Sequence, residues 1–426
     1  MDVNIKPVDF SDSAMLAEPH AYLAALREKS PVALASGPNG REFYVVTKGA
    51  LIEEVTRRTE EFSNNIGHLL FAGGVSSPEV AELLSKPAMA TGGLLVHDDP
   101  EHARMRALVN AVFAQGRIAN MAPIIERIAD ELIDDFIEAG ECDFVNQFAV
   151  LLPTYLIADI LGLPRSQYDK VRYWSDAVIR IVSRMGNLEE EIANAKLVSE
   201  FRRFIIDTTA ARCKVPADDL ISNLVHVRVK GYEPMTDAEI APLVFEIAVA
   251  GNETTRNTLM SGIVRLINHP DQLQALKNDA GLAPNAVEEL LRYETPATSM
   301  WRVAARDAEL GGVTIPAGAE ILLRFDAGNF DPARFEDPLK FDITRKNARQ
   351  HMAFGAPGIH RCLGQMLARK EMVIAFQKLL TRLNNLRVVA DGSDTNYWPG
   401  LLHRGIGAVR LAFDPGKRVR TRQEAA

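Results

Sequence analysis

Apolar residues recur at helical spacing along most of the chain, and this pattern predicts long helices. An early helix is predicted over 19–30 and another over 100–113. From there to about residue 270 helix follows helix, with short breaks at glycine and proline, and 117–140 and 236–270 are the clearest. A further long helix is predicted over 363–383. The pattern is typical of a mainly α-helical protein.

Strand patterns are short and separated. Segment 40–49 favours a strand, and after Pro296 the pattern changes to short strands with turns, as in 308–325. An irregular run over 329–361 follows, and short strands return after residue 385. The chain is therefore expected to form a mainly α fold with a small β-rich part.

No internal repeat, low-complexity linker or change of composition divides the sequence. A single domain is therefore expected over 1–426, with a disordered basic tail at about 416–426. The chain has 426 residues, of which 47% are hydrophobic and 24% charged, so it is long enough to bury a large core.

The composition argues against several classes of protein. No stretch of about 20 residues is continuously apolar, so no transmembrane helix is predicted. The first residues lack the basic and apolar regions of a signal peptide. A net charge of -8 argues against nucleic-acid binding. We therefore expect a cytoplasmic protein that binds neither nucleic acid nor membrane.

Cys362 lies near the end of a loop that cannot be regular structure, "FGAPGIHRCLG" at 354–364. Its glycines and proline exclude a helix or a central strand, and the helix predicted over 363–383 begins directly afterwards. Backbone N–H groups and the helix dipole favour a thiolate at such a position. His360 and Arg361 place two cationic side chains beside it.

A thiolate in this setting could be a nucleophile, a redox partner or a metal ligand. The other cysteines, Cys142 and Cys213, lie far from Cys362, and no C-x-x-C spacing occurs. A closed zinc site or an iron–sulfur cluster would therefore lack ligands. Cys142 and Cys213 are expected to be small buried apolar thiols.

The segment "AGNETT", residues 250–255, lies in the middle of the longest predicted helix. Thr254 can donate a hydrogen bond to the carbonyl of Ala250, which tends to open or bend a helix, and Gly251 is a poor helix former. Glu253 adds a carboxylate. The combination predicts a groove for a small polar ligand with a proton source beside it. The alternative is a solvent-facing glutamate among ordinary threonines.

Three further features are each weak evidence for a function when taken alone. Glu289 and Arg292 are spaced to pair on one helix face. His102 and Arg106 are four residues apart near a helix start and form a cationic face suited to an anion. Arg302 is an isolated cation in an apolar predicted strand.

Four stretches carry a resemblance: the segment with His102 and Arg106, residues 250–255, the segment with Glu289 and Arg292, and the cysteine loop. In this order and at these separations, they resemble the cytochromes P-450, the haem-thiolate monooxygenases, of the soluble bacterial type. The resemblance extends over nearly the whole chain. The cysteine-loop pattern of the family, F-G-x-G-x-H/R-x-C-x-G, is matched by Gly358, His360, Cys362 and Gly364, whereas Phe354 is displaced one residue upstream. The patterns A/G-G-x-D/E-T and E-x-x-R are matched at 250–254 and 289–292.

The resemblance implies a role for each matched residue. Cys362 would be the axial ligand of the iron of haem b, iron protoporphyrin IX. Glu253 and Thr254 would be the catalytic residues, which bind O₂ and relay protons. Glu289 and Arg292 would form a structural network with the irregular run, although lysine, Lys340, stands where the family usually has an arginine. The other cofactor-binding residues implied are His102, Arg106, Arg302 and His360 at the propionates, and Ala250, Gly251, Phe354 and Gly364.

The implied reaction inserts one atom of O₂ into an apolar small-molecule substrate, by a monomeric enzyme. No flavin or nicotinamide fingerprint occurs, so a ferredoxin and an NAD(P)H-dependent ferredoxin reductase are the expected partners. An acidic ferredoxin is expected to dock on a basic patch of Arg104, Arg361, Arg369 and Lys370. The candidate substrate-pocket residues are Leu94, Ala250, Ala297 and Thr298, with Ser299 and His403 as further polar anchors.

Two alternatives stay open at this point. A peroxide-driven peroxygenase would use the same cofactor, but relatives of that kind replace the acid–alcohol pair with a pair that contains arginine. A haem-binding sensor or carrier would need no proton relay. Glu253 and Thr254 favour the monooxygenase.

Overall fold

Helices form most of the computed structural model, which describes residues 8–37, 40–70, 77–86, 92–113, 120–183 and 187–419. Short 3₁₀ or π turns occur at Leu94–Val96, Val145–Ala149, Arg165–Gln167, Ala280–Leu282 and Ala348–Gln350. The α-helices of the described residues are α1 Ser13–Ala17, α2 His20–Lys29, α3 Gly49–Arg57, α4 Gly67–Leu70, α5 Pro78–Ser85, α6 Glu101–Val112, α7 Ala122–Asp134, α8 Leu151–Ile160, α9 Tyr168–Ser183, α10 Leu188–Lys214, α11 Leu220–His226, α12 Asp237–Ile267, α13 Pro270–Asn278, α14 Ala283–Glu294, α15 Phe325–Asn329 and α16 Gln365–Arg382.

The strands pair into small sheets. The largest has the order β1-β2-β3-β9-β6-β4, in which β3 and β9 are parallel and β6 and β9 antiparallel. The smaller sheets have the orders β10-β13-β5, β11-β12 and β7-β8. The strands are β1 Val8–Asp9, β2 Val32–Ser36, β3 Glu42–Val46, β4 Phe62–Ser63, β5 Glu141–Asp143, β6 Ser299–Ala304, β7 Ala308–Leu310, β8 Val313–Ile315, β9 Glu320–Arg324, β10 Asn384–Val388, β11 Asp394–Tyr397, β12 Ile406–Ala408 and β13 Arg410–Asp414.

Helix α12 runs through the middle of the helical part. A capping box starts it, since the Thr236 backbone N–H donates to Glu239 at 2.7 Å. At Gly262 a Cβ atom would lie 2.9 Å from the Phe376 ring of α16, so the glycine permits the two helices to approach closely. This approach fixes where α12 and α16 diverge around the site.

Aromatic and aliphatic side chains form separate cores around the second and first halves of α12. One core joins α7, α12, α14 and α16. A second joins α8, α9, α10 and α12, where the Trp174 and Phe201 rings stack with centroids 4.9 Å apart. The β-rich part has its own core around Ile321 and Leu323 of β9.

The main features predicted from the pattern are confirmed: the early helix is α2, the helix over 236–270 is α12, and the strand in 40–49 is β3. A short helix, α1, precedes α2 and was not predicted. Within the predicted tail, residues 416–419 are attached to the fold, because the Gly416 N–H donates to Ile137 at 3.0 Å. Residues 420–426 lie outside the described residues. None of the described helices combines the length and apolarity needed to cross a membrane.

Candidate active site

A large cavity of about 940 Å³ separates the middle of α12 from the loop before α16. Ala250 and Thr254 line it on the α12 side, and Cys362 lines it from the loop. Most of the other lining residues are aliphatic or aromatic, among them Leu156, Val198, Leu243, Phe325 and Leu402. A thiol and a hydroxyl therefore belong to one apolar chamber, although they are far apart in sequence.

The loop from Phe354 to Gly364 holds Cys362 by backbone contacts. The Cys362 N–H donates to the Phe354 carbonyl at 2.9 Å. Gly355 has φ +82, a conformation that other residues rarely adopt. At Gly358 a Cβ would lie only 2.6 Å from the Thr56 carbonyl oxygen, so only glycine fits against α3. The loop-breaking residues thus serve the position of the sulfur, as predicted.

The Cys362 thiol is half-buried at the cavity wall, and its removal from solvent raises its pKa. The backbone amides of Gly364 and Gln365 and the charge of Arg106 lower the pKa, but they do not outweigh burial. The predicted effect of the backbone N–H groups on the thiol is therefore confirmed in direction, but burial outweighs it in the protein without a metal. A bound metal cation would supply the missing positive charge, because coordination deprotonates a thiol.

Two histidines on the same side of the cavity have buried nitrogens without a hydrogen-bond partner among the described residues. These are both ring nitrogens of His102 and Nε2 of His360, and the two ring centroids are 4.0 Å apart. Asp99 lies 3.4 Å from His102 Nδ1 without hydrogen-bond geometry. Burial, followed by the charges of His102, Arg302 and Arg106, lowers the pKa of His360 to about 2.

Arg106 and Arg302 also line this side of the cavity. Within the described chain neither guanidinium has a carboxylate within 4.0 Å. Burial lowers the pKa of Arg302 to about 10, and burial also lowers the pKa of Arg106. Uncompensated buried cations are costly, so this cluster is suited to a ligand with negative charges.

On the opposite wall, Ala250 and Thr254 face the cavity one turn apart on α12. The Thr254 hydroxyl donates to the Ala250 carbonyl at 3.3 Å, which confirms the predicted bond, although α12 continues as a helix through this point. Packing also favours glycine at position 251, because a Cβ there would lie 3.1 Å from Ile157 of α8. Glu253 also lines the cavity, with its carboxylate 3.9 Å from Arg256.

Comparison with known proteins identifies the family. The family model for cytochrome P-450 matches residues 170–393. A steroid C26-monooxygenase of Mycobacterium tuberculosis (strain CDC 1551 / Oshkosh) is 37% identical over 362 residues, which cover 85% of this chain and 92% of that protein. The 6-deoxyerythronolide B hydroxylase of Saccharopolyspora erythraea is 34% identical, covering 74% of this chain and 77% of that one. The chain belongs to the cytochrome P-450 family.

The fold agrees with this assignment. The structure of the cytochrome P-450 CYP109Q5 from Chondromyces apiculatus superimposes with a TM-score of 0.83 at 29% sequence identity, covering 96% of this chain and 99% of that chain. The protein is accordingly a P-450 monooxygenase, an oxidoreductase whose cofactor is haem b.

The cavity fits that cofactor. It has a sulfur on one wall and room beside Gly364, where a Cβ would meet nothing within 4 Å. At one edge it has imidazole nitrogens without a described partner, beside the cationic Arg106 and Arg302. Phe354 lines the cavity too, so the one-residue displacement in the loop does not remove it from the site. Its ring also stacks against Arg369, whose guanidinium carbon is 4.4 Å from the ring centroid.

The cytochrome P-450 core network is complete but has an unexpected member. Arg292 makes two bonds to Glu289, at 2.7 and 2.8 Å, and both side chains are fully buried. Arg292 also donates to the Asn329 carbonyl at 3.0 Å. The third charged partner is Arg345, whose Nε lies 3.2 Å from Glu289, whereas Lys340 contributes only its backbone carbonyl and leaves its side chain 65% exposed.

Two of the four residues predicted to form a basic docking patch are bonded to acidic side chains of the fold. Arg369 is buried and its Nε donates to Glu288 at 2.7 Å, and Glu288 also accepts from His351 at 2.9 Å. The side chain therefore belongs to an internal network and not to a docking surface. Arg104 is bonded to Glu239 at the start of α12.

The substrate-pocket candidates are mostly placed as expected. Leu94, Ala250 and Ala297 line the cavity, and so does His403. For Thr298 the prediction is wrong, since the residue is not part of the lining and its hydroxyl donates to the Leu401 carbonyl at 3.2 Å. Ser299 donates to the same carbonyl at 2.6 Å.

Three charged lining residues were missed by the sequence analysis. Glu246, in the run "APLVFEIAVAG", accepts from the Leu95 N–H at 3.1 Å, and burial raises its pKa to about 7. Burial raises the pKa of Glu371 to about 8. Arg202 enters the cavity from α10. A single charge inside an apolar helical run was the available signal for Glu246, but for Arg202 the sequence "FRRF" does not say which arginine faces inward.

Proposed function

We propose that this cytochrome P-450 inserts one atom of O₂ into a C–H bond of an apolar small molecule. Two electrons come from NAD(P)H through a ferredoxin reductase and a ferredoxin. The observation that carries the proposal is that a half-buried cysteine and an α12 hydroxyl line one apolar cavity. Haem bound through a thiolate supplies oxidising chemistry, because electron density from sulfur favours O–O cleavage.

The chain would bind and orient the reactants. Cys362 would ligate the iron, and the cationic Arg106 and Arg302 would neutralise the propionates. His102 and His360 would donate hydrogen bonds to the propionates, and their buried ring nitrogens without a described partner support this role. The Thr254 hydroxyl would donate a hydrogen bond into the cavity and pass on protons. Glu253, 3.9 Å from Arg256, would supply them from the solvent side.

The lining supports an apolar substrate. Aliphatic and aromatic side chains from several helices, among them α5, α8, α9, α10 and α12, line the cavity with Ala250, and they would exclude water from the reacting carbon. The relatives named above oxidise a steroid and 6-deoxyerythronolide B according to their names, and both names fit a large apolar substrate.

The test compares Thr254→Ala with Thr255→Ala in the haem-loaded protein, using product formed per NAD(P)H consumed and hydrogen peroxide released. Thr255 is the matched control, because it is the same residue type and also lines the cavity, but its side chain leaves α12 about 100° further around the helix. Thr254→Ala should still consume NAD(P)H and O₂, with less product and more peroxide, while Thr255→Ala stays close to wild type. The reduced protein with carbon monoxide should show the red-shifted Soret band of thiolate ligation, and Cys362→His should lose this band.

The alternatives give different results. A peroxygenase would form product with hydrogen peroxide alone at a rate that NAD(P)H and ferredoxin do not exceed. A sensor would bind ligands and show no substrate-dependent NAD(P)H consumption. If both threonine variants stay fully coupled, the proton-relay role assigned to Thr254 is wrong.

A further inference from the structure

Three arginines line the cavity of the described structure: Arg106, Arg302 and Arg202. The first two lie on the side of Cys362 and His360, where negatively charged propionates account for them. Arg202 is different, because it reaches the cavity from α10, beside Leu84 of α5 and Phe245 of α12. The propionates therefore do not explain it.

Arg202 is only partly satisfied by the protein. One terminal nitrogen donates to the Leu84 carbonyl, and the guanidinium carbon lies 5.7 Å from the centroid of the Phe245 ring. Its Nε is buried and has no hydrogen-bond partner in the part of the chain that the structure describes. The carbonyl and the ring hold the guanidinium in position and leave donor capacity unused.

No described carboxylate neutralises Arg202. None lies within 4.0 Å of it, and burial is the sole cause that lowers its pKa. The acids that line the cavity are engaged elsewhere or lie apart from it: Glu246 accepts from the Leu95 N–H at 3.1 Å, and Glu253 is 3.9 Å from Arg256. An unpaired cation in an apolar chamber costs free energy that a bound anion would recover.

The position of Arg202 sets the distance between a bound anion and the wall that carries Thr254. Phe245 precedes Thr254 by nine residues on α12, a separation of about 13 Å along the helix axis. An anion at Arg202 would therefore lie about two and a half helical turns from the oxygen-binding wall. Between those two positions on α12, Ile247 and Val249 line the cavity with apolar side chains.

We propose that Arg202 binds the anionic end of the substrate, so that the substrate is an apolar molecule that carries a carboxylate or a phosphate at the end remote from the oxidised carbon. The inference rests on the monooxygenase function proposed above and names its substrate class. The planar guanidinium fork is suited to either group, because both offer two oxygens for paired hydrogen bonds.

The test is a spectral titration of the haem-loaded protein with dodecanoic acid, dodecyl phosphate and dodecan-1-ol at pH 7.5, following the iron spin-state change. Wild type should bind at least one of the two anions more tightly than the alcohol, by about 10- to 100-fold, the effect expected for a hydrogen bond to a charged group. The preferred anion identifies carboxylate or phosphate as the natural group. Arg202→Gln should abolish the preference and leave the dissociation constant of the alcohol nearly unchanged.

Arg203→Gln is the matched control, because Arg203 is the next residue on α10, is exposed, and loses the same charge. It should retain the wild-type preference. Equal binding of the alcohol and both anions by wild type, or an equal effect of the two variants, would overturn the role of Arg202. If reduced wild type and both arginine variants show the red-shifted carbon monoxide band, the failure of the Arg202 proposal does not contradict the proposed function. Absence of the band from wild type would overturn both.

Discussion

Glu371 is an acid buried inside a haem-binding protein. It is 3% exposed, and its Oε1 has no hydrogen-bond partner among the described residues. Burial alone raises its pKa from 4.5 to about 8. The side chain is therefore neutral at pH 7 in the folded protein, while in the unfolded chain it is ionised.

This difference predicts a pH-dependent stability. Because the folded state binds the proton more tightly, the contribution of Glu371 is present below pH 4.5 and is lost as the pH rises from 4.5 to about 8. The loss is about 1.4 kcal/mol per pH unit, which amounts to a few kcal/mol in total. Glu371→Gln removes the proton equilibrium and keeps the shape.

The free energy of unfolding of the haem-loaded variant should therefore exceed that of wild type increasingly between pH 5 and 8, as measured by urea denaturation. Glu200→Gln, at an exposed position on α10, is the control and should differ little from wild type at any pH. A stability difference that does not change with pH would show that Glu371 has no such pKa in the loaded protein.

Individual residues could be predicted where their contacts are local in sequence. The Thr254 bond to Ala250 spans one helical turn, and the glycines around Cys362 lie within its own loop, so both were visible in the pattern. Glu371 was not visible, because nothing near it in sequence reveals that its surroundings are apolar. Its burial depends on the packing of α16 against other helices.

At the scale of elements, α12 and α16 were predicted because long runs with helical spacing bury several faces. The contacts that join elements were predicted less well. Arg345 and Glu289 are 56 residues apart, so no spacing rule connects them, and the resemblance pointed to the position of Lys340. Arg369 was assigned to the surface for the same reason, since its partner Glu288 is 81 residues away.

The network that joins α14 to the irregular run gives a second prediction. Arg345 donates to Glu289 and to the carbonyls of Glu336 and Lys340, at 3.2, 2.6 and 2.8 Å. Arg345→Gln should lower the free energy of unfolding by about 2–3 kcal/mol, because it removes one of the two cationic partners of the fully buried Glu289 carboxylate. Lys340→Gln should change it by no more than about 0.5 kcal/mol, since an exposed ion pair contributes little.

The measurement is urea denaturation of the haem-loaded protein, followed by tryptophan fluorescence and haem absorbance together. Both variants lose one positive charge in the same loop, so net charge cannot account for a difference between them. Equal destabilisation would contradict the assignment of Arg345 as the third charged partner, and a larger loss for Lys340→Gln would assign that role to Lys340.

At the scale of the whole molecule, the surface outside the cysteine loop combines apolar and basic groups on an acidic protein. Ile359 and Met366 are 37% and 39% exposed, and Lys370 is exposed one turn after Met366 on α16. Arg361 is half-buried beside Cys362. Because Arg369 and Arg104 are bonded to acids of the fold, Lys370 is the member of the predicted patch that is best placed to meet a partner.

An acidic ferredoxin that docks here would approach the iron from the side of the thiolate, and its encounter would be steered by charge. Lys370→Glu should therefore slow the first reduction of the haem several-fold at low salt, and the difference should shrink as the ionic strength rises and screens the surface. Stopped-flow formation of the carbon monoxide complex measures this rate. Lys214→Glu, at an exposed position near the end of α10, changes the net charge equally and should have little effect. If both variants slow reduction to the same extent, total charge and not this face governs the encounter. If neither rate depends on salt, the donor docks elsewhere.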